Sequence, residues 1–497
     1  MSDTSLFEAA EVTQPMHNQT GAVESGSSST RPDSTEDFFS RLSDEILLSI
    51  ILAVPFNLEN KRIFSWKSPR QLDPGGLWSL SLVNRRLNYL VNGVLYKHCK
   101  MDKGGTPKFV RTIVTEPRIA VLVRRLDWDC SPISPMDDAG VRNALLKIGT
   151  PYAHQLAYFS ADLENPNQYQ AFVAAVLMHI PNIEQLDLLD FSITHSAAER
   201  IPYLDPIRNG VLHPFQNLRT LRLAKYHANI RDIIPLMYLP SLRKLKLHGT
   251  MGPPSEELLP AHLHLGSSNI EELCLEDCCI ESGILSNMIS TCQKLISLKY
   301  NHNEDILADI SPWNGSCYFE FEDLCPALEQ HKNSLQELYL TSVESPWQRE
   351  FNGLLGDFSE FPKLIRMGVP FIALSDRPDG SKKDLLQILP PGIQLLVLDM
   401  KNCENLSDQC HMNLETLANS RNKFPDLGCV QISGGQWKHR DDAPEWPVLE
   451  KMFKASGIKF SVDMDSLEFT ARDHGDEEML DNPDDGSETD DDEMNDE

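Results

Sequence analysis

The 497-residue sequence contains no apolar run long enough to cross a membrane. Its most apolar stretch is residues 46–54, in which eight of nine residues are apolar, whereas a membrane-spanning helix needs about 20. We therefore expect no membrane segment. A helix that is apolar on nearly every face must still be covered on nearly every side, which raises the question of what covers residues 46–54.

Cysteine pairs of the kind that hold metals or carry redox chemistry are also missing. The eleven cysteines include no Cys-x-x-Cys pair and no His/Cys cluster with zinc spacing. Their number is odd and the N-terminus shows no secretory signal, so we expect free, buried thiols in a reducing compartment, cytoplasmic and/or nuclear.

The motifs of common enzyme classes are absent as well. There is no Gly-x-Gly-x-x-Gly, no Gly-Lys-Ser/Thr, no Gly-x-Ser-x-Gly and no His-Glu-x-x-His. We therefore expect no catalytic, cofactor-binding or metal-binding residues, and we expect that the protein is not an enzyme.

Positive charge is lacking after Arg472, where 14 of the last 25 residues are Asp or Glu. The formal net charge is −28 overall and still −14 without this segment, which disfavours non-specific nucleic-acid binding. We predict that residues 471–497 form a disordered acidic tail. Residues 1–35, rich in Ser, Thr, Glu and Gln, are predicted to be disordered because they bury too little apolar surface.

What the sequence does contain is a repeated pattern, apolar-x-x-apolar-x-apolar. Its last two apolar residues would lie on one face of a short strand, and helical patterns precede several copies. One such unit cannot bury its apolar face alone, whereas stacked units can. The ten full copies are Val123/Leu126/Trp128, Ile183/Leu186/Leu188, Leu218/Leu221/Leu223, Leu242/Leu245/Leu247, Ile270/Leu273/Leu275, Leu295/Leu298/Tyr300, Leu335/Leu338/Leu340, Leu364/Met367/Val369, Ile393/Leu396/Leu398 and Leu427/Val430/Ile432, followed by a weaker Ile458/Phe460/Val462.

Residues 42–96 resemble an F-box, a pattern of Leu-Pro-x-Glu-Ile-Leu, a helix, and a second helix of the type Leu-x-x-Val-x-Arg. Ser43 replaces the usual Pro, but Ser is also a good N-cap. Residues 56–77 are predicted to be a loop insertion that separates a first helix, ended by Pro55, from a second helix with its apolar face from Leu80 to Val94. The matching residues are Leu42, Glu45, Ile46, Leu47, Leu80, Val83, Asn84, Arg85, Leu87, Val94, Leu95 and Tyr96.

The repeats resemble the cysteine-containing leucine-rich repeats that are often joined to F-boxes. Most steps between copies lie in or near the 20–29-residue period of such repeats. Cys278 and Cys403 follow the last leucine of the two best copies, residues 270–283 and 393–408. The resemblance implies an α/β protein: a small all-helical F-box at 36–100 and a curved leucine-rich-repeat solenoid with short parallel strands at 101–470.

This domain order is similar to that of substrate-recognition subunits of cullin–RING (SCF-type) ubiquitin ligases. The resemblance implies that the F-box binds the Skp-type adaptor and, through it, the cullin, while the repeats bind an unidentified protein substrate. Neither nucleic acid nor a membrane is an expected partner. The candidate adaptor-binding residues, which are equally consistent with domain core, are Leu42, Ile46, Ile50, Leu80, Val83 and Leu87.

The strand positions between the inward leucines carry positive charge on two consecutive copies. Arg222, Lys244 and Lys246 are predicted to form a basic patch, with Arg219, Lys225 and Arg243 at its edges, because neighbouring strands lie about 4.8 Å apart. We hypothesise that this patch binds an acidic or phosphorylated substrate segment. An ordinary solvated face is the alternative.

Two other functions remain open at this point. The chain could be a leucine-rich-repeat interaction scaffold without a ligase role. It could also be a GTPase-activating or other enzymatic repeat protein, with a catalytic Arg or Asn on a repeat loop that the sequence does not single out.

Overall fold

The structure, a computed structural model, describes residues 41–53, 74–101, 106–129, 173–174, 176–190, 201–204, 207–208, 215–252, 264–303, 319–342, 353–375, 384–400, 408–433 and 446–463. The predicted disordered tails, residues 56–73 of the predicted loop insertion, and Cys403 lie outside these residues. The chain divides into two compact units, residues 1–53 and 54–497.

The first unit contains helix α1, Asp44–Ala53. Ser43 serves as its N-cap, as predicted, with Oγ 3.4 Å from the Ile46 amide nitrogen. Two residues one turn apart, Leu47 and Ile51, are buried, each with 2% of its surface exposed. The apolar run therefore has a buried side, and the opposite side remains open to solvent.

The second unit begins with α2, Pro74–Ser81, and α3, Arg85–Leu95. We predicted one helix across this segment, whereas the structure has two. Residues 74–77, predicted as the end of the loop insertion, belong to α2. Asn84 interrupts the helix because its Oδ1 accepts a hydrogen bond from the Leu87 amide at 2.8 Å, which caps α3. The Asn88 side chain donates to the Ser81 carbonyl, which ties the end of α2 to α3.

A twelve-stranded parallel sheet follows, in which each strand pairs with the next one along the chain. The strands are β1 His98–Met101, β2 Arg125–Asp129, β3 Gln185–Asp190, β4 Thr220–Asn229, β5 Lys244–Met251, β6 Glu272–Cys278, β7 Ser297–His302, β8 Glu337–Ser342, β9 Arg366–Pro370, β10 Leu395–Asp399, β11 Cys429–Ser433 and β12 Lys459–Asp463. Among the strands that the structure describes, β1 and β12 are the two edges of this sheet.

Helical segments occupy several of the connections between strands. They are α4 Thr106–Thr115, α5 Pro117–Ala120, α6 Ile230–Ile233, α7 Ser282–Thr291, α8 Cys325–Glu329, α9 Ile372–Ser375, α10 Leu385–Ile388, α11 Asp408–Asn419 and α12 Trp446–Ala455, with 3-10 helices at Pro202–Leu204, Ile234–Tyr238 and Phe321–Leu324. The predicted helix before the sixth copy is confirmed by α7, whose apolar residues are buried.

The repeated apolar pattern forms the core. All ten full copies and the weaker last copy coincide with strands β2–β12, so their strand prediction is confirmed. Every residue of the ten full copies is at most 2% exposed. Equivalent residues pair across neighbouring strands, as Leu221 does with Leu245 and Leu245 with Leu273. The apolar residues thus form continuous rows beneath the sheet.

A ladder of backbone hydrogen bonds fixes the residues at the start of the strands. The Arg219 carbonyl accepts hydrogen bonds from two successive amides of the next copy, Arg243 at 2.8 Å and Lys244 at 2.9 Å. The Arg243 carbonyl in turn accepts from Glu271 and Glu272. The same pairing recurs at every step from β1 to β11. It fixes the register and therefore the positions of the side chains on the opposite face.

The fold class is thus a mixed α/β chain with an open parallel sheet. Strand β1 was not predicted, because Cys99 and Met101 do not match the leucine pattern. These two residues nevertheless pair with Leu126 and Trp128 of β2, so the sheet begins at His98.

His331 links two copies from the buried side. Its Nδ1 accepts a hydrogen bond from the Leu295 amide at 3.3 Å, and its Nε2 lies 3.0 Å from the Ile289 carbonyl. Burial lowers the pKa of His331 below its ordinary value of 6.5, against a smaller opposing effect of the Ile289 hydrogen bond.

We predict that this histidine makes the fold sensitive to acid. Because its pKa is lowered in the folded state, the unfolded chain binds the proton more readily, and the free energy of unfolding falls as the pH drops below about 6.5. Urea unfolding at pH 7.5 and 5.5 should show a smaller pH dependence for His331→Gln than for wild type. His264→Gln, at an exposed position, should behave as wild type, and an unchanged pH dependence in His331→Gln would contradict the assignment.

Candidate functional site

The outer face of the sheet, opposite the leucine rows, carries one side chain per strand between the two inward residues. We call these residues the middle row. The strand register pairs each of them with the next, in the order Lys100, Asp127, Asp187, Arg222, Lys246, Cys274, Lys299, Tyr339, Gly368, Val397, Gln431 and Ser461.

The structure brings Arg222 and Lys246 directly opposite one another on β4 and β5. Both are half-buried, and we call them the basic pair. Like charges directly opposite each other in a sheet are destabilising, so the basic pair concentrates positive potential that an anion would relieve.

The remaining residues of the predicted patch are differently placed. Lys244 lies on the same face, but its Nζ is 3.1 Å from the Glu272 carboxylate on β6. Lys225, predicted at the edge of the patch, is buried and bound to Asp190 at 2.8 Å, because strand alternation places it on the same inward face as Leu221 and Leu223. The patch is therefore narrower than the sequence predicted.

Two carboxylates that the sequence analysis missed lie on the other side of the basic pair. Asp127 and Asp187 pair across β2 and β3, and Arg125 reaches both, with Nε 2.9 Å from Asp127 and Nη2 3.6 Å from Asp187. Burial, reinforced by the charge of Asp127, raises the pKa of Asp187 to about 6. Burial tends to raise the pKa of Asp127. Hydrogen bonds from His98 and Arg125 outweigh this effect and hold the pKa of Asp127 below its ordinary value.

Another cation, Lys299 on β7, continues the middle row beyond Cys274. Its Nζ lies 5.7 Å from the centre of the Tyr339 ring and 3.8 Å from the Glu337 carboxylate. The Tyr339 ring lies across Gly368, where an added Cβ would come within 2.4 Å of the ring. Glycine is therefore required at residue 368 for the ring to lie flat on the sheet.

The helices before the sheet carry exposed apolar side chains. Three predicted adaptor-binding residues are exposed: Ile46 by 49% and Ile50 by 43% on α1, and Val83 by 64% between α2 and α3. Leu42 and Leu80 are half-buried. The prediction for Leu87 needs correction, because this residue is buried and belongs to the core.

Four further exposed apolar residues in this region were missed by the sequence analysis. They do not belong to the F-box pattern, and only their large apolar side chains could have signalled them. They are Leu52, Trp78, Leu82 and Tyr89.

Chemically reactive groups are scarce among the described residues. None of the described cysteines forms a disulfide, and burial raises the pKa of both Cys278 and Cys292 to about 12, as expected for thiols that fill core sites. Within the same part of the chain, no three His, Cys, Asp or Glu side chains are grouped so that they could hold a metal ion.

Comparison with known proteins adds no assignment. No family model matches the chain, and no curated protein matches it. None of the helices that the structure describes is both long and apolar enough to span a membrane.

We predict that Asp187→Asn stabilises the fold at neutral pH. The pKa of Asp187 is raised, so its stabilising contribution is complete at low pH and is lost as the pH rises through about 6. The free energy of unfolding should rise by about 1–2 kcal/mol at pH 8 and by less at pH 5. Asp426→Asn removes a charge at an exposed position before β11 and should change the free energy of unfolding little. A destabilised Asp187→Asn at pH 8 would contradict the effect of burial on Asp187.

Proposed function

We propose that the protein is the substrate-recognition subunit of a cullin–RING ubiquitin ligase. Helices α1–α3 would bind the Skp-type adaptor, and the outer face of the sheet would bind the client protein. The observation that carries the proposal is the concentration of exposed apolar side chains in the segment that resembles an F-box.

Exposed apolar side chains are more frequent in this segment than in the rest of the described chain. Of the eleven exposed large apolar residues in the described parts, seven lie between residues 46 and 89. The other four, Val121, Leu265, Met412 and Val448, are scattered over more than 300 residues. Three of the seven, Ile46, Ile50 and Leu52, lie on α1 in the first unit, and the other four lie on or between α2 and α3 in the second unit. Grouped exposed apolar residues within a unit mark an interaction site, whereas single ones need no explanation. Burying each against an adaptor would contribute about 1.5–3 kcal/mol.

The basic pair supports an anionic client. Arg222 and Lys246 are held side by side by the β4–β5 register, and a carboxylate or phosphate on the client would accept hydrogen bonds from both. A phosphorylated segment satisfies this arrangement better than a single carboxylate, because it brings more charge and three acceptor oxygens.

Under this proposal the chain itself performs no chemistry. The ligase partners transfer ubiquitin, and the chain contributes by holding the client near them. The protein would act where the adaptor and cullin are present, in the cytoplasm, the nucleus or both.

We predict that the double variant Ile46→Asp/Val83→Asp loses the adaptor. Each change places a charge in a contact worth about 1.5–3 kcal/mol, so the affinity should fall by at least about 100-fold in total. The measurement is co-purification of the full chain with the Skp-type adaptor and cullin, followed by calorimetry.

Met412→Asp/Val448→Asp is the matched control, since both residues are exposed apolar positions on helices α11 and α12. This control should retain the adaptor. If wild type and both variants fail to retain it, the protein is an interaction scaffold without a ligase role.

We predict that Arg222→Glu/Lys246→Glu loses clients but keeps the adaptor, because the two surfaces are separate in sequence and in chemistry. Proximity labelling under proteasome inhibition should show clients that disappear with this variant. Lys363→Glu/Lys451→Glu makes the same charge change at exposed positions and should keep them. Identical client sets for all three proteins would eliminate the basic pair as the client site.

A further inference from the structure

The basic pair has an acidic neighbour on the same row. Asp187 on β3 pairs directly with Arg222 on β4, which pairs with Lys246 on β5. Asp187 is only 9% exposed, and burial raises its pKa, while the positive charge of Arg222 is one of the smaller opposing effects. The carboxylate and the guanidinium therefore interact within the folded chain.

Asp187 is enclosed by groups from both neighbouring strands and from its own. On β2 it faces Arg125 and the carboxylate of Asp127, and on its own strand the Gln185 amide donates to it at 3.2 Å. On β4 it faces Arg222. Among the described residues, the charged groups around it include Arg125, Arg222 and Asp127, so the ionised form is paired but carries the cost of burial.

We propose that Asp187 competes with an anionic client for Arg222 and so limits how tightly the basic pair binds that client. The inference rests on the proposed function, in which the basic pair is the client site. Ionised Asp187 offsets part of the positive potential at Arg222, and this negative charge opposes an incoming phosphate or carboxylate. When Asp187 is neutral, this offset is removed.

This arrangement makes client binding depend on pH. The pKa of Asp187 is raised to about 6, so the residue is largely ionised at pH 7.5 and largely neutral at pH 5.5. Binding of an anion should therefore tighten as the pH falls through about 6, provided that the anion itself does not titrate in this range.

The test uses the full chain and a hexapeptide of cysteic acid, whose sulfonates stay ionised across this range. Calorimetry at low ionic strength, where exposed charges are least screened, measures its dissociation constant. Asp187→Asn should bind the probe about fivefold more tightly than wild type at pH 7.5, the effect of removing one charge near the site. Wild type should approach the variant at pH 5.5, while the variant itself changes little.

Two controls separate this inference from the proposed function. Asp426→Asn changes the net charge equally but lies before β11, and it should bind as wild type does. If Arg222→Glu/Lys246→Glu binds the probe as well as wild type, the basic pair is not an anion site, and the assignment of the client site and the competition by Asp187 are both overturned. If that variant loses the probe but Asp187→Asn and wild type bind equally at pH 7.5, the client site stands and the competition by Asp187 is overturned.

Discussion

The constraint on which the structure depends is that no single strand can bury its own apolar residues. Leu245 is fully buried because Leu221 and Leu273 lie in register on either side of it. The backbone ladder, in which one carbonyl accepts two amides of the next copy, enforces this register at each step from β1 to β11. Stability is therefore shared between neighbouring copies, as in other stacked architectures.

The same constraint determines what the outer face can do. Once the leucine rows are fixed, the residues between them are brought about 4.8 Å apart across strands, whatever their separation in the chain. Arg222 meets Lys246 and Asp187 for this reason alone. The face acquires its binding properties from charges that add, as in the basic pair, or cancel, as at Lys244 and Glu272.

The strands could be predicted because their pattern is local: three apolar residues within six positions. The first strand was not predicted because Cys99 and Met101 stand where the other strands have leucines. The break before α3 was not predicted because Val83 and Leu87 keep the apolar spacing across it. Asp187 was missed for a different reason. It lies between Leu186 and Leu188 of a predicted copy, so the repeat pattern also places it beside Arg222, but the predicted patch was drawn from the two following copies alone. The burial of Leu87 depends on the packing of α2 on α3, which the pattern does not specify.

The central claim is that the helices bind the adaptor and the sheet binds the client. It is tested most directly by hydrogen exchange of the full chain, alone and with the purified Skp-type adaptor. If the helices bind the adaptor, amides within residues 44–53 and 74–95 should gain protection, while those of strands β4–β8 should exchange as they do in the free chain. Unchanged exchange in the helices, or protection confined to the strands, would contradict the assignment of an adaptor-binding end and a client-binding face.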